Sequence, residues 1–320
     1  VTTLLYVNDH LPEGATEAAA EMFKEIKGQF IDGLEEQHWM DNATRAQARL
    51  KLTKMRELIG FPPFIKDPAK LNKFYEDIQV NESLLLQNTL SVFKDKFLKK
   101  VSEMEKPSND KRFAMPPLTV DAFYNPLANG MTILAGILQP PFYKSDRLQA
   151  LNYGSLGMVV GHEITHGFDK EGSRYDENGS FRRWWTKKSH ENFKARSTCL
   201  AEQYSKVKIF GYQVNGNETL SENIADNGGL KYAFRAYKKW RDKHGNEDKL
   251  PALPFNNDQL FFIGFAQLWC AKYTKDGAKQ QMEIDTHSLD PVRVRVPLSN
   301  FPEFSKAFGC TPPKHTCTVW

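Results

Sequence analysis

The chain has 320 residues, enough to bury a sizeable core and to divide into about two domains of ordinary size. With 40% hydrophobic and 26% charged residues, 20 Gly and 17 Pro, it cannot be collagenous, low-complexity or wholly disordered. A net charge of only +4, scattered along the sequence, offers no electrostatic footprint for nucleic acid, and the most apolar stretch, 260–271, is too short for a membrane span of roughly 20 residues.

Residues 14–105 read as mostly helical. Positions 15–30 put Ala19, Met22, Phe23, Ile26 and Phe30 on one face, and Asp41-Asn42 offers a cap for a helix over 44–59 that stops at Gly60, before Pro62-Pro63. A third helical pattern covers 82–101. No cluster of chemically useful side chains falls in this region, so a solvated helical scaffold is expected. The character of the sequence changes across 107–117. Residues 119–124 alternate, and 131–138 follow the turn signal Asn129-Gly130, which predicts a hairpin or two edge strands. Helical patterns return at 146–168, 187–207, 219–243 and 257–273, ahead of a Pro-rich tail expected to be loops. Strands followed by a run of helices indicate an α+β fold that is predominantly helical, divided into 1–118 and 119–320.

The N-terminus, Val1-Thr2-Thr3-Leu4-Leu5, lacks the basic and apolar regions of a signal peptide, so a mature product or a piece of something longer is expected. Four widely spaced cysteines, Cys199, Cys270, Cys310 and Cys317, match no zinc-finger spacing and suit either disulfides in an oxidising compartment or buried thiols. Asn-x-Ser/Thr tripeptides at Asn42, Asn81, Asn178 and Asn217 favour the secretory route.

His162-Glu163-Ile164-Thr165-His166 is H-E-x-x-H within a helical pattern. Histidines at i and i+4 lie one above the other, so both imidazoles can reach a single Zn²⁺, while Glu163 is offset toward the side where an attacking water would lie. A catalytic zinc needs a third protein ligand. The metzincin pattern fails, because Asp169 and Gly172 stand where Gly and His are required. A short-spaced Glu about 19 or 20 positions after the second His fails too, since Trp185 and Thr186 are there. Further on, Glu222 and Asp226 are i, i+4 on one helix face in Glu222-Asn223-Ile224-Ala225-Asp226-Asn227-Gly228-Gly229. One carboxylate can bind the metal while the other accepts a hydrogen bond from a ligand imidazole. Asn223 and the Asn227-Gly228-Gly229 run are odd choices for a plain amphipathic helix, and the small residues permit close helix packing.

The H-E-x-x-H segment, E-N-I-A-D-N-G-G, Ala135-Gly136-Ile137-Leu138-Gln139-Pro140-Pro141-Phe142 and the terminal Cys317-Thr318-Val319-Trp320 resemble the neprilysin and endothelin-converting-enzyme family of zinc endopeptidases. The likeness is strongest over 120–320. It implies a zincin-type, thermolysin-like catalytic domain at 119–320, with part of a second, covering helical domain in 1–118. It also implies a single Zn²⁺ per chain, held by His162, His166 and Glu222. Glu163 becomes the general base, Asp226 the partner of His162, His287 the transition-state histidine and Arg293 the arginine on the substrate carbonyl. Asp121 and Ala122 correspond to the strand that holds the peptide backbone. Ile137, Phe142, Met158, Val159, Leu268 and Trp269 correspond to the pocket for the side chain after the scissile bond.

The implied activity is hydrolysis of oligopeptides on the amino side of large hydrophobic residues. Peptides would be the partners, with no nucleic acid and a membrane reached only through an anchor absent from this chain. The implied setting is extracellular: a secreted protein, or the ectodomain of a type II membrane protein. The resemblance pairs Cys199 with Cys317 and puts the partners of Cys270 and Cys310 upstream of Val1, although the spacing also permits Cys270–Cys310. A catalytically silent zinc-containing binding ectodomain, and a helical interaction fragment with accidental motifs, are the competing readings. One departure stands out: the family strand reads Asn-Ala-Phe/Tyr-Tyr, and here it is Asp121-Ala122-Phe123-Tyr124. An ionised Asp keeps the acceptors of Asn and loses the donor.

Overall fold

A computed structural model describes residues 1–104, 106 and 112–320. The change of character across 107–117 lies partly outside them. Helix α1 (Thr2–Asp9) leads into α2 (Ala15–Gly33), whose apolar face, Ala19, Met22, Phe23, Ile26 and Phe30, is buried as the spacing required. Asp41 caps α3 (Asn42–Lys54), accepting from Thr44 N. The helix ends earlier than expected, because residues 56–60 become strand β1 (Arg56–Gly60). Pairing with a neighbouring strand overrides the helical pattern there. Helices α4 (Pro68–Phe74) and α5 (Leu85–Glu103) follow.

Strands β2 (Ala122–Asn125) and β3 (Gly130–Leu134) pair antiparallel across the turn at Asn129, which has φ 42°. Only β2 is an edge. The sheet order is β1-β3-β2, with β1 parallel to β3 from Arg56↔Gly130 to Gly60↔Leu134. Beyond β3 the chain turns through Ala135–Ile137 into α6 (Gln149–Asn152), a wide π-type turn (Tyr153–Gly157) and α7 (Met158–His166). Helix α8 (Lys187–Ser205), the small hairpin β4 (Lys208–Ile209) and β5 (Tyr212–Gln213), α9 (Leu220–His244) and α10 (Asn257–Gln267) come next.

The expected loop tail is instead three helices, α11 (Lys275–Ile284), α12 (Asp290–Asn300) and α13 (Pro302–Phe308). The prolines misled: α12 and α13 each carry one at their first positions, where the missing N–H has no helical partner to lose. Pro297 is accommodated inside α12.

Residues on both sides of position 118 contribute to one apolar core. One apolar cluster runs from Ala15 on α2 to Trp320. Trp320 packs its ring on Phe30, Trp39, Phe168 and Phe193, and the Cys199–Cys317 disulfide ties α8 to the same end of the chain. Cys270 and Cys310 are free, exposed thiols. By contrast α5 lies outside the core, with Leu85, Leu86, Leu90, Phe93, Phe97 and Leu98 all exposed. No helix among the described residues is long and apolar enough to cross a membrane.

Helices α7 and α9 approach unusually closely. A Cβ on Gly161 would lie 2.7 Å from the carbonyl oxygen of Gly229, and one on Gly229 would lie 2.6 Å from the backbone nitrogen of His162. Neither position tolerates a side chain without the helices separating. Gly161→Ala should therefore cost about 1–3 kcal/mol by overpacking and weaken metal binding as α9 moves away. Thermal denaturation together with zinc titration checks both effects.

Candidate active site

Helix α7 carries His162, Glu163 and His166, with Met158, Val160 and Ile164 buried beneath them. Helix α9 presents Glu222 in its first turn and Asp226 one turn later. The Gly161–Gly229 contact brings these two faces together. His162 Nδ1 donates to Asp226 Oδ1 at 2.9 Å, and His166 Nδ1 donates to Asp169 Oδ2 at 2.7 Å. Both Nε2 atoms then point lone pairs at a common centre, 3.0 Å apart. Glu222 Oε2 stands 3.2 Å from His162 Nε2 and 3.4 Å from His166 Nε2.

Glu222 Oε2 is buried and accepts no hydrogen bond. In their neutral form, with both Nδ1 protons committed to carboxylates, the two imidazoles have no proton left for it, so three electron-pair donors converge. With the rings neutral, a metal cation satisfies that arrangement. Their separations approach the edge of about 3.3 Å expected for tetrahedral ligands at zinc bond lengths of about 2.0–2.1 Å. Nitrogen, nitrogen and carboxylate oxygen are also a donor set zinc takes in catalytic sites.

Asp226 has a second partner. Arg293, from α12, donates through Nε to Oδ2 at 2.9 Å and through an Nη to Oδ1 at 2.8 Å, and its guanidinium stacks 4.0 Å from the centroid of Trp269. Burial by itself would raise the Asp226 pKa, but the Arg293 charge and the His162 hydrogen bond hold it below the usual carboxylate range. Burial pushes Glu163 up, the His162 and His166 rings oppose it, and the charges of Glu222 and Asp121 add to the rise. His287 is fixed by Asp285, which accepts from both its Nδ1 and its backbone N–H. Its Nε2 lies 3.1 Å from Glu222 Oε2.

The structure accounts for the odd polar residues of α9. Asn223 accepts from Ser288, the neighbour of His287, and donates to Thr219. Asn227 joins Tyr204 of α8 and Asn300 of α12. Thus one helix orders the loop carrying His287 and the helix carrying Arg293.

His162, Glu163, His166, Asp169, Glu222, His287 and Arg293 line a cleft of about 640 Å³ beside the edge strand, together with Asp121, Ala122, Ile137, Phe142, Met158, Val159 and Trp269, while Asp226 and Asp285 lie behind it. Leu268 does not line it; it caps α10, and Trp269 is the residue of the pair that enters the cleft. Asp121 is exposed at the rim, its Oδ1 accepting the N–H of Ala122 at 2.9 Å. Asp169 and Asp285 were not singled out from sequence as partners of the histidines. The signal was there for both, i+3 from His166 and two residues before His287.

Two models of peptidase family M13 match, over residues 1–62 and 121–318. The chain belongs to peptidase family M13. This M13 chain is 42% identical to human endothelin-converting enzyme 1 over 99% of its own length and 42% of that protein's. It is 40% identical to an endothelin-converting enzyme homologue of Locusta migratoria, over 99% of this chain and 44% of that one. It therefore spans less than half the length of these relatives.

Among solved structures, the M13 chain matches the inhibitor complex of Mycobacterium tuberculosis zinc metalloprotease ZMP1, with TM-score 0.85 and 31% identity, over 97% of this chain and 46% of that one. A Haemonchus galactose-containing glycoprotein complex matches with TM-score 0.88 and 28% identity, over 100% of this chain and 53% of that one. These likenesses agree with the helical, thermolysin-like zincin architecture.

Because Asp226 both orients His162 and neutralises Arg293, Asp226→Asn should lower zinc affinity by about 10–100-fold. Competition with a chromophoric chelator measures it.

Proposed function

We propose that this chain is the catalytic part of a zinc-dependent endopeptidase that hydrolyses oligopeptides on the amino side of large hydrophobic residues. The observation that carries the reading is the convergence of His162 Nε2, His166 Nε2 and an orphaned Glu222 oxygen beside Glu163 in a cleft flanked by an edge strand. Family membership and the names of the M13 relatives support it.

In this reading His162, His166 and Glu222 hold a single Zn²⁺. When bound, zinc supplies a Lewis acid that polarises a carbonyl and lowers the pKa of water. Glu163 takes the proton of the attacking water and delivers it to the leaving amine. His287, aimed by Asp285, and Arg293, through its nitrogen not engaged by Asp226, stabilise the developing oxyanion; loss of one such donor typically costs about 10²–10³ in rate. The free edge of β2 at Asp121 and Ala122 pairs with an extended peptide backbone. Ile137, Phe142, Val159 and Trp269 receive the side chain after the scissile bond. The disulfide and the exposure of Asn42, Asn81, Asn178 and Asn217 support a glycosylated, extracellular setting, secreted or as a membrane protein's ectodomain.

The test separates base from ligand. Glu163→Gln should retain zinc while losing hydrolysis, and a chelator should abolish hydrolysis in the parent protein. Cleavage-site mapping on a peptide mixture should find cuts before Phe, Leu, Ile and Met with broad preference, since methylene-scale fit discriminates by only about 1–3 kcal/mol. Loss of zinc in Glu163→Gln, or a requirement for a basic residue after the cut, refutes the assignment.

Asp121 adds a negative charge at the rim, which opposes a free peptide carboxylate close to the site. Asp121→Asn should lower KM for peptides that end near the site, with kcat little changed, because the contact exists before and during reaction. Comparing free-acid and amidated peptides isolates the charge, and an unaltered KM for both places the side chain away from substrate.

A further inference from the structure

One side chain from the first third of the chain reaches the end of the zinc helix. Lys51, on α3, is only 1% exposed. Its ammonium donates to the carbonyls of Gly167 at 2.7 Å, Gly172 at 2.8 Å and Tyr175 at 2.7 Å. Three N–H groups meet three acceptors, so the ammonium is saturated without water. The rings of Tyr124, Phe168 and Trp184 surround it, with Nζ 5.4–5.9 Å from their centroids. Burial pushes its pKa down to about 7, against the pull of Asp169, Asp176 and Glu177.

The contacts form a relay to a metal ligand. Gly167 directly follows His166 and caps α7, so the positive charge sits at the helix C-terminus, where free carbonyls favour it. Gly172 is held from both sides, its carbonyl by Lys51 and its N–H by Asp169 Oδ1 at 2.6 Å. Asp169 Oδ2 in turn accepts from His166 Nδ1 at 2.7 Å. The turn is pressed against the helix end: a Cβ at Gly172 would lie 1.7 Å from the carbonyl oxygen of His166.

We propose that Lys51 is a positioning residue of the metal centre: its ammonium fixes the 167–175 turn and thereby holds Asp169 against His166 Nδ1, which sets the tautomer and aim of that ligand. The proposal rests on the metallopeptidase reading and extends it, because it makes α3 part of the site rather than a scaffold remote from it.

The test is made in the full-length protein, with zinc affinity by chelator competition, the visible spectrum of the cobalt-substituted form, and Tm. Lys51→Met should weaken zinc binding by about 10–100-fold and change the cobalt spectrum, as loss of an outer partner does. Lys51→Arg should recover much of both. Asp169→Asn should show a similar loss, and the double variant should lose no more than the worse single one. Phe262→Leu, in the core on α10, should lower Tm while leaving affinity and spectrum unchanged.

Unaltered affinity and spectrum in Lys51→Met, or fully additive losses in the double variant, would overturn the proposal. If Lys51→Met does not accumulate, Lys51→Gln keeps two donors and should show an intermediate loss; no loss in that variant overturns the proposal equally. Failure of the parent protein to bind zinc would instead sink the metallopeptidase reading itself.

Discussion

The contact between Gly161 and Gly229 is the constraint on which the site depends. Two helices far apart in sequence can share one metal only if their backbones come close enough for short carboxylate side chains to span the gap. Here each Gly faces the other helix's backbone at a distance where a methyl group would clash. That approach lets Glu222 reach both Nε2 atoms while Asp226, one turn along, reaches His162 Nδ1. A wider interhelical gap would leave the carboxylates hydrated and the imidazoles unaimed.

Around that contact the buried charges are arranged in pairs. Asp226 is fully buried, a large penalty for an ionised carboxylate unless it is compensated. Arg293 supplies the compensation with two hydrogen bonds, and His162 takes the remaining acceptor capacity. Asp169 plays the same part for His166, with two backbone N–H groups and the Lys51-bound turn in place of an arginine. The two histidines therefore share one orientation logic, supported from opposite sides by different elements. Each support commits an Nδ1 proton, which leaves the Nε2 lone pair of each neutral ring available to a metal.

The first third of the chain plays two structural roles. Helices α2 and α3 and strand β1 pack into the common core, and Lys51 extends from there to the end of α7. Helix α5 does the opposite and carries a run of exposed Leu and Phe side chains, an apolar surface of the sort that marks contact faces. The curated relatives are more than twice as long as the region matched.

Much of the chemistry was legible in sequence because it is local. H-E-x-x-H and the i, i+4 pair Glu222 and Asp226 follow from helical periodicity, and the apolar faces of α2 and α7 follow from the same rule. What sequence could not decide was pairing between distant segments. Residues 56–60 continue a helical pattern, yet become a strand because β3 offers a free parallel edge. The last third contains prolines that read as loops, yet Pro291 and Pro302 stand in the first turns of helices, where an N–H is not needed. Lys51 looks like one more solvated lysine on a surface helix. Only the folded chain, by bringing carbonyls 116 to 124 residues away around its ammonium, makes it a buried cation at the end of α7.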